Sequence, residues 1–384
     1  MTDRNREIRL AARPQGMPDD STFELVETPV PSPAEGEAPV QNLYMSVDPA
    51  MRGRMNDVRS YSPPLEVGET LTGGAIGRVV ESRDTALSSG DLVTSNRGWR
   101  EYFTAPASEL ARLEQGAQPL THLLGVLGGT GFTAYVGMLD IGQPKAGETV
   151  FVSGAAGAVG SVAGQIAKLG DCRVIGSAGS DEKVDWLTRE LGFDAAFNYK
   201  TTPPDEALDG AAPDGVDVYF DNVGYEHLQA AIAHMNDFGR IVACGSISGY
   251  NSADPAHPRP GPDNLAFIVR KRITMRGFIV SDHADRRAAF RADMERWLAE
   301  GAVRARDTIY EGIAQAPAAF LGLFDGSNTG KMLVRLGPRG VSPRAADDGP
   351  YATLEGFDEP VALYEVRRFL GEGGEMRGAQ SLQL

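Results

Sequence analysis

Residues 149–170 read TVFVSGAAGAVGSVAGQIAKLG, and within them Ala155, Gly157 and Gly160 keep the spacing of a Gly-x-Gly-x-x-Gly turn with alanine in the first place. The chemistry open to such a turn is anion binding. Gly157 would let the backbone approach a pyrophosphate, Gly160 would let helix and strand close on each other, and a helix N-terminus would offer free N–H groups to negative charge. Gly/Ala runs also arise wherever two elements simply pack closely, so this segment alone leaves both readings open.

The next stretch, CRVIGSAGSDEKV, narrows the ligand. A dinucleotide with a free ribose 2′-hydroxyl calls for Asp or Glu at the end of this strand, but Gly176, Ser177, Ala178, Gly179 and Ser180 stand there, with Lys183 one turn on. Hydroxyls, backbone donors and an ammonium suit a 2′-phosphate, so NADP(H) is expected over NAD. The plain alternative for Lys183 is a solvated residue at a helix start. Two later apolar runs, VDVYFDNVG and RIVACGSISGYN, also end in polar residues. Ligands of an open parallel sheet lie outside the carboxyl ends of its strands, which makes Asn222, Ser246, Ser248 and Tyr250 candidates to line a site. Each could singly be a turn residue or a cap; their convergence on one edge is the argument.

Other chemistries lack their residues. The only cysteines are Cys172 and Cys244, too few for a disulfide framework or a Cys-rich zinc lobe, and the five histidines include no pair at ligand spacing with a cysteine. None of the 11 tyrosines is followed by Lys four positions on, as a short-chain reductase requires. Gly326–Lys331 imitates a phosphate loop but is one residue short, with Met332 in place of Ser or Thr. A formal charge of −15 leaves no basic stripe for nucleic acid. Six lysines and 31 arginines against 52 acidic residues suggest a surface adapted to a salt-rich cytoplasm, with an ordinary acidic protein from a GC-rich genome as the alternative.

The elements that must position these residues follow from texture. Residues 1–128 hold short β-type runs broken by Pro and Gly, the punctuation of a compact β domain. Strand and helix alternate over 129–308, which predicts a doubly wound parallel sheet of α/β class, and 309–336 is expected to return to the β domain. Gly337–Leu384 opens with a Pro/Gly/Asp cluster and carries one apolar patch, PVALYEVRRFL; a disordered appendage, a docking helix and a lid all remain open for it. The charge-free windows Leu123–Leu139 and Thr149–Ala167 are too rich in Gly, Ala, Ser and Thr to span a membrane, and the charged start MTDRNREIRL argues against export, so a cytoplasmic address is expected.

The segments LYMSVDPAMRGRM, GWREYF, GGTGFTAYVGML, GAAGAVGSVAGQIAKLG, GSDEKVDWL, FNYK, DGVDVYFDNVG, GRIVACGSISGYN, GFIVSD and PAAFLGLFDGSNTGKMLV occur here in order across about residues 5–336. By them the chain resembles the zinc-free medium-chain reductases, which include leukotriene B4 12-hydroxydehydrogenase/prostaglandin reductase, plant 2-alkenal reductases and bacterial curcumin-type reductases. The resemblance implies a GroES-like β-barrel domain followed by a Rossmann domain, NADPH in the cleft, a homodimer, and reduction of a carbon–carbon double bond conjugated to a carbonyl. Position by position it implies that Gly157, Ala158, Val159 and Gly160 hold the pyrophosphate and that Lys183 and Tyr199 face the adenosine phosphate. Asn222 and the run Cys244, Gly245, Ser246, Ile247, Ser248 to Tyr250 would line the ribose side, Phe278, Ile279 and Val280 the nicotinamide, and Asn328 would approach from the returning segment. Tyr44 and Met51 would lie on the substrate side. Ala50 stands where many relatives carry an aromatic residue, which implies a wider pocket, and Gly337–Leu384 has no counterpart.

Without a metal, hydride transfer to a simple ketone lacks a Lewis acid, so an enal or enone is the easier electrophile. Tyr250 would then supply a hydrogen bond or the α proton, the alternative being an anchor for the cofactor alone. A quinone reductase of the same architecture and a non-catalytic NADPH-binding protein are the competing readings.

Overall fold

The computed structural model describes residues 4–81, 87–113, 118–253 and 260–337, together with the backbone of two short strands further on. Its first part is strand after strand: β1 (Arg4–Leu10), β2 (Phe23–Pro29), β3 (Glu37–Ser46), β4 (Ala75–Val79), β5 (Leu92–Ser95), β6 (Tyr102–Pro106) and β7 (Ala111–Arg112), with the short helix α1 (Met51–Arg54) after β3. Helix and strand then alternate through α2 (Gly129–Val136), β8 (Thr149–Val152), α3 (Gly160–Leu169), β9 (Arg173–Ala178), α4 (Asp181–Arg189), β10 (Ala195–Asn198), α5 (Pro204–Ala211), β11 (Val216–Asp221), α6 (Tyr225–His234), β12 (Met235–Ala243), α7 (Ala266–Arg270), β13 (Thr274–Gly277) and α8 (Arg287–Ala299). The chain ends its main unit with β14 (Asp307–Glu311), α9 (Ala316–Asp325) and β15 (Lys331–Arg335).

Six of these strands form one parallel sheet in the order β10-β9-β8-β11-β12-β13. The chain enters at β8, winds outward to β10, then crosses back to β11 and winds the other way. This is the doubly wound Rossmann order, with its switch point between β8 and β11. Alternation along the strands explains why both faces are covered. Val150, Val152, Val174, Val218, Phe220 and Val242 enter one core with α2, α3 and α8. Phe151, Ile175, Tyr219 and Ile241 enter the other, with α5 and α6, where Phe151 stacks on Tyr219 at 4.9 Å.

The N-terminal strands build a second sheet, β14-β15-β3-β4-β5-β7, with β6 also on β3. Strand β3 is long enough to take β6 along Glu37–Gln41 and β15 along Tyr44–Ser46 on the same side, so the C-terminal strand completes an N-terminal sheet. The barrel implied by the resemblance is not seen as a closed ring among the described residues. The path ends at β14 and β7, and the hairpin β1–β2 lies off it, with isolated bridges at Glu7–Arg100 and Arg9–Thr70 and a bond from Tyr102 N–H to Asn5 Oδ1 at 2.8 Å. Trp99, Phe23 and Phe320 meet in the core under this sheet, where α9 packs.

Further on, β16 (Tyr351–Ala352) and β17 (Val361–Ala362) pair antiparallel. The three readings of the tail otherwise fall on residues outside the described ones. No helix among the described residues is long and apolar enough to cross a membrane.

Candidate functional site

The turn between β8 and α3 is held by its own backbone. Gly157 N–H donates to Gly154 O at 3.0 Å, and Gly154 takes a φ of +58° that glycine adopts without strain. A Cβ at Gly160 would lie 2.4 Å from Gly154 O, so helix and turn approach too closely for any side chain, whereas a Cβ at Gly157 would meet only that oxygen, at 3.2 Å. The alanine in the first position has its own accommodation: Ala155 is fully buried, and its methyl lies 2.9 Å from where a Cβ at Gly176 of β9 would stand. Gly157, Ala158, Val159 and Gly160 therefore sit at the start of α3, where Ser161 N–H donates to Gly157 O at 3.0 Å and Ala163 N–H to Val159 O at 2.9 Å, and no side chain caps the helix.

At the ends of β9 and β10 the structure brings Lys183 and Tyr199 together and adds Lys200. Ser180 caps α4, its hydroxyl accepting from Lys183 N–H at 3.4 Å. Lys183 Nζ reaches the end of α9 and donates to Gly326 O at 2.7 Å, while Lys200 Nζ lies 3.4 Å from Asp325 O. Both ammonium groups thus sit on carbonyls at a helix C-terminus, the end that favours cations. Burial, then repulsion from Lys200, pushes the Lys183 pKa down. Tyr199 is edge-on to His227 at 5.2 Å, and burial pulls the His227 imidazole down to about 4, so it is neutral at physiological pH. Two buried polar atoms here, Ser177 Oγ and His227 Nε2, have no hydrogen-bond partner in the structure.

The middle of the edge is tied together by one buried carboxylate. Asp221 Oδ1 accepts from Tyr219 Oη at 2.7 Å, Val223 N at 3.0 Å and Gly224 N at 2.7 Å, while its backbone carbonyl accepts from Cys244 N at 3.0 Å and Gly245 N at 2.9 Å. Burial raises the Asp221 pKa and these donors oppose the rise. Asn222 donates from Nδ2 to Ser153 O at 2.8 Å and accepts at its carbonyl from Ile247 N at 3.1 Å, so the loops after β8, β11 and β12 are one stitched unit.

Within that unit Ser246, Ile247 and Ser248 form a single turn before Tyr250, and Ser248 Oγ donates to Val223 O at 2.6 Å. The Tyr250 phenol lies against the loop after β12, its oxygen 3.2 Å from where a Cβ at Gly245 would stand, and burial raises its pKa, so it keeps its proton at neutral pH. Cys244, pushed by burial up to about 12, is an inert thiol. After β13, the Phe278 ring packs beside Gly137, with Ile279 extended and Val280 starting a new turn.

The returning segment crosses this edge. Gly330 N–H donates to Ala156 O at 2.8 Å and bridges Gly157, while the Asn328 amide bends back to Gly330 O at 3.1 Å. Tyr44 and Met51 sit elsewhere. Tyr44 packs with Ile76, Leu124 and Leu333 under the Arg335 guanidinium, and Met51 is 7 % exposed in the core around Trp99.

Sequence reasoning missed Lys200 and the Ser153–Asp221 network. Lys200 directly follows Tyr199 in FNYK, which was the available signal; the network joins residues some seventy positions apart and left none.

Residues 6–113 match the family described as the N-terminal domain of oxidoreductase and residues 158–300 that of zinc-binding dehydrogenase. The NADPH-dependent curcumin reductase of Escherichia coli is 42 % identical over 338 residues, 87 % of this chain and 97 % of that one. The chain belongs to the medium-chain dehydrogenase/reductase family. Within that family it is 40 % identical over 339 residues to the NADP(+)-dependent 2-alkenal reductase of Nicotiana tabacum, covering 86 % of this chain and 97 % of that one. The crystal structure of CurA from Vibrio vulnificus in complex with NADPH superposes with a TM-score of 0.82 at 41 % identity, covering 87 % of this chain and 99 % of that one. Zinc, named in one of these family descriptions, does not fit the donors of this medium-chain reductase. Among the described residues no three His, Cys, Asp or Glu side chains cluster, and Cys244 at the strand end is a protonated thiol packed against the core.

Proposed function

We propose that this protein is an NADPH-dependent reductase of the carbon–carbon double bond of α,β-unsaturated aldehydes and ketones. The observation that carries the reading is a single sheet edge with an open glycine turn at its centre, two ammonium groups at one end and a protonated phenol at the other. NADPH fits that edge. Gly157, Ala158, Val159 and Gly160 would take the pyrophosphate, with Lys183, Tyr199 and Lys200 at the 2′-phosphate. Asn222 and the backbone from Cys244 through Gly245, Ser246, Ile247 and Ser248 would face the ribose, with Phe278, Ile279, Val280 and Asn328 at the nicotinamide end. The bound cofactor supplies a hydride for the β carbon. Tyr250 holds a proton at its phenol oxygen and is the donor for the substrate carbonyl or α carbon. Tyr44 and Met51 stay on the substrate side only as the resemblance implies.

The named activities of the curcumin reductase and the 2-alkenal reductase support this substrate class. The test follows NADPH absorbance with a panel of enals, enones, quinones and saturated ketones at high and low KCl. Fastest consumption of enals or enones is expected. Faster consumption of quinones would move the protein to the quinone reductases, and binding without oxidation would leave it a non-catalytic binder. Lower stability at low KCl is the outcome expected of a salt-adapted surface of charge −15.

The finer architecture belongs to the same proposal: a GroES-like barrel domain over 1–128, a Rossmann domain over 129–308, a return over 309–336 and a separate tail over 337–384. We assign a homodimer through β13, the last strand of the parallel sheet. All four of its residues are exposed, Met275 among them at 44 %, and the edge of β13 away from β12 has no partner strand among the described residues. Light scattering of a Met275→Lys variant is expected to shift the mass toward monomer. A cytoplasmic setting, where NADPH is supplied and two free cysteines stay reduced, completes the reading.

A further inference from the structure

Arg52 of α1 is among the largest fully buried side chains, with no exposed surface. Its guanidinium makes four hydrogen bonds: Nε to Asn251 Oδ1 at 3.0 Å, Nη1 to Asn56 Oδ1 at 2.7 Å, and Nη2 to Gly16 O at 2.8 Å and Pro14 O at 3.3 Å. All four acceptors are neutral. Guanidinium stays charged in proteins, and burying a charge without an anion is costly, so a side chain needed only to fill this space would be apolar. A planar fork of five donors offers something else: it can fix several chain segments in one geometry. The three segments held here are the loop at Pro14–Gly16, where Gly16 takes a φ of +82°, the end of α1, and the turn that follows Tyr250.

Asn251 is gripped from both sides, its oxygen by Arg52 and its nitrogen by the sulfur of Met17 at 3.0 Å. It is the residue after Tyr250, whose phenol oxygen lies against Gly245, 3.2 Å from where a Cβ there would stand. The backbone of Tyr250 adds one bond, from its N–H to Ile247 O at 3.2 Å. Arg52 therefore reaches from the N-terminal part of the chain, across 199 positions of sequence, to the residue adjoining the proposed proton donor.

We propose that Arg52 is a positioning residue for Tyr250, acting through its bond to Asn251 to keep the phenol at the reactive end of the sheet edge. The proposal deepens the reading of Tyr250 given above and rests on it. Misplacing a reacting group by about 1 Å can cost a hundredfold in rate. Because Arg52 variants are at risk of not folding, the test cuts the bond from the half-buried side, with Asn251→Ala, Asn251→Asp, Tyr250→Phe and the double variant Tyr250→Phe/Asn251→Ala. Single-turnover decay of NADPH absorbance with a trans-2-alkenal and NADPH affinity are both read.

Asn251→Ala is expected to slow hydride transfer by about ten- to a hundredfold while NADPH affinity changes less than about twofold. Asn251→Asp keeps the acceptor and restores most of the rate. On the Tyr250→Phe background Asn251→Ala costs nothing more, a silence that a merely structural role would not produce. An equal loss on both backgrounds, or no loss on either, overturns the proposal. If Tyr250→Phe itself leaves hydride transfer intact, the reading of Tyr250 has failed, and the clamp is judged from a crystal structure of Asn251→Ala. A phenol oxygen displaced from its place against Gly245 upholds it, and an unmoved one overturns it.

Discussion

At the Lys183 end of the sheet edge two ammonium groups rest on the C-terminal carbonyls of α9, whereas at the Tyr250 end the polar groups are a neutral phenol and backbone amides. Both ends are built at the carboxyl termini of strands of one sheet, so topology alone does not separate them. Their electrostatics do. On the proposed reading the first end tells a phosphorylated ribose from a bare one by charge, while the buried phenol at the second keeps its proton at neutral pH.

That division can be broken most sharply at Tyr250. Tyr250→Phe is expected to lower turnover about 10²- to 10³-fold, the usual cost of one aligned donor, with NADPH affinity little changed. A fall in affinity with hydride transfer intact would make Tyr250 an anchor and the two ends alike. At the other end the exception to charge is His227, neutral beside Tyr199. Its pKa falls from 6.5 to about 4 on folding, so the unfolded chain binds the extra proton first. Stability contributed by the neutral ring is present above pH 6.5 and is lost as pH falls toward 4, about 3 kcal/mol in all. Denaturant titrations from pH 7 to 4 should show that loss, and His227→Phe should flatten it.

Lys183→Ala sharpens the contrast next. A charge-assisted bond of about 1.5–3 kcal/mol predicts a ten- to 150-fold rise in the Michaelis constant for NADPH with little change for NADH. Equal effects on the two would make Lys183 a scaffold residue. Lys200, more exposed, should act in the same direction but weakly. Lys200→Ala is expected to cost about two- to fivefold toward NADPH, shrinking as salt is added.

Much of this architecture was legible because it is local. The alternation of strand and helix announced the parallel sheet, and the polar endings after Phe220 and Ala243 announced the loops that meet at its edge, since a strand's apolar run stops where its side chains leave the core. The spacing around Gly157 predicted a close approach at Gly160, and the structure shows why: the oxygen of Gly154 occupies the room a Cβ would need. What stayed hidden depends on partners distant in sequence. Nothing near Lys183 says that Gly326 will meet it, and nothing near Arg52 says that Asn251 will. Tyr44 and Met51 stand in a motif whose overall pattern was readable, yet facing side chains decide that they pack inward.

Residues Gly326 to Gly330 are anchored at both ends, the first by Lys183 and the last by Ala156 of the glycine turn. Surface loops of this length usually accept an inserted residue at small entropic cost. This one spans a fixed distance between its two attachments at Lys183 and Ala156, so its length is constrained more tightly than its composition, and a single added peptide would unseat one attachment or the other.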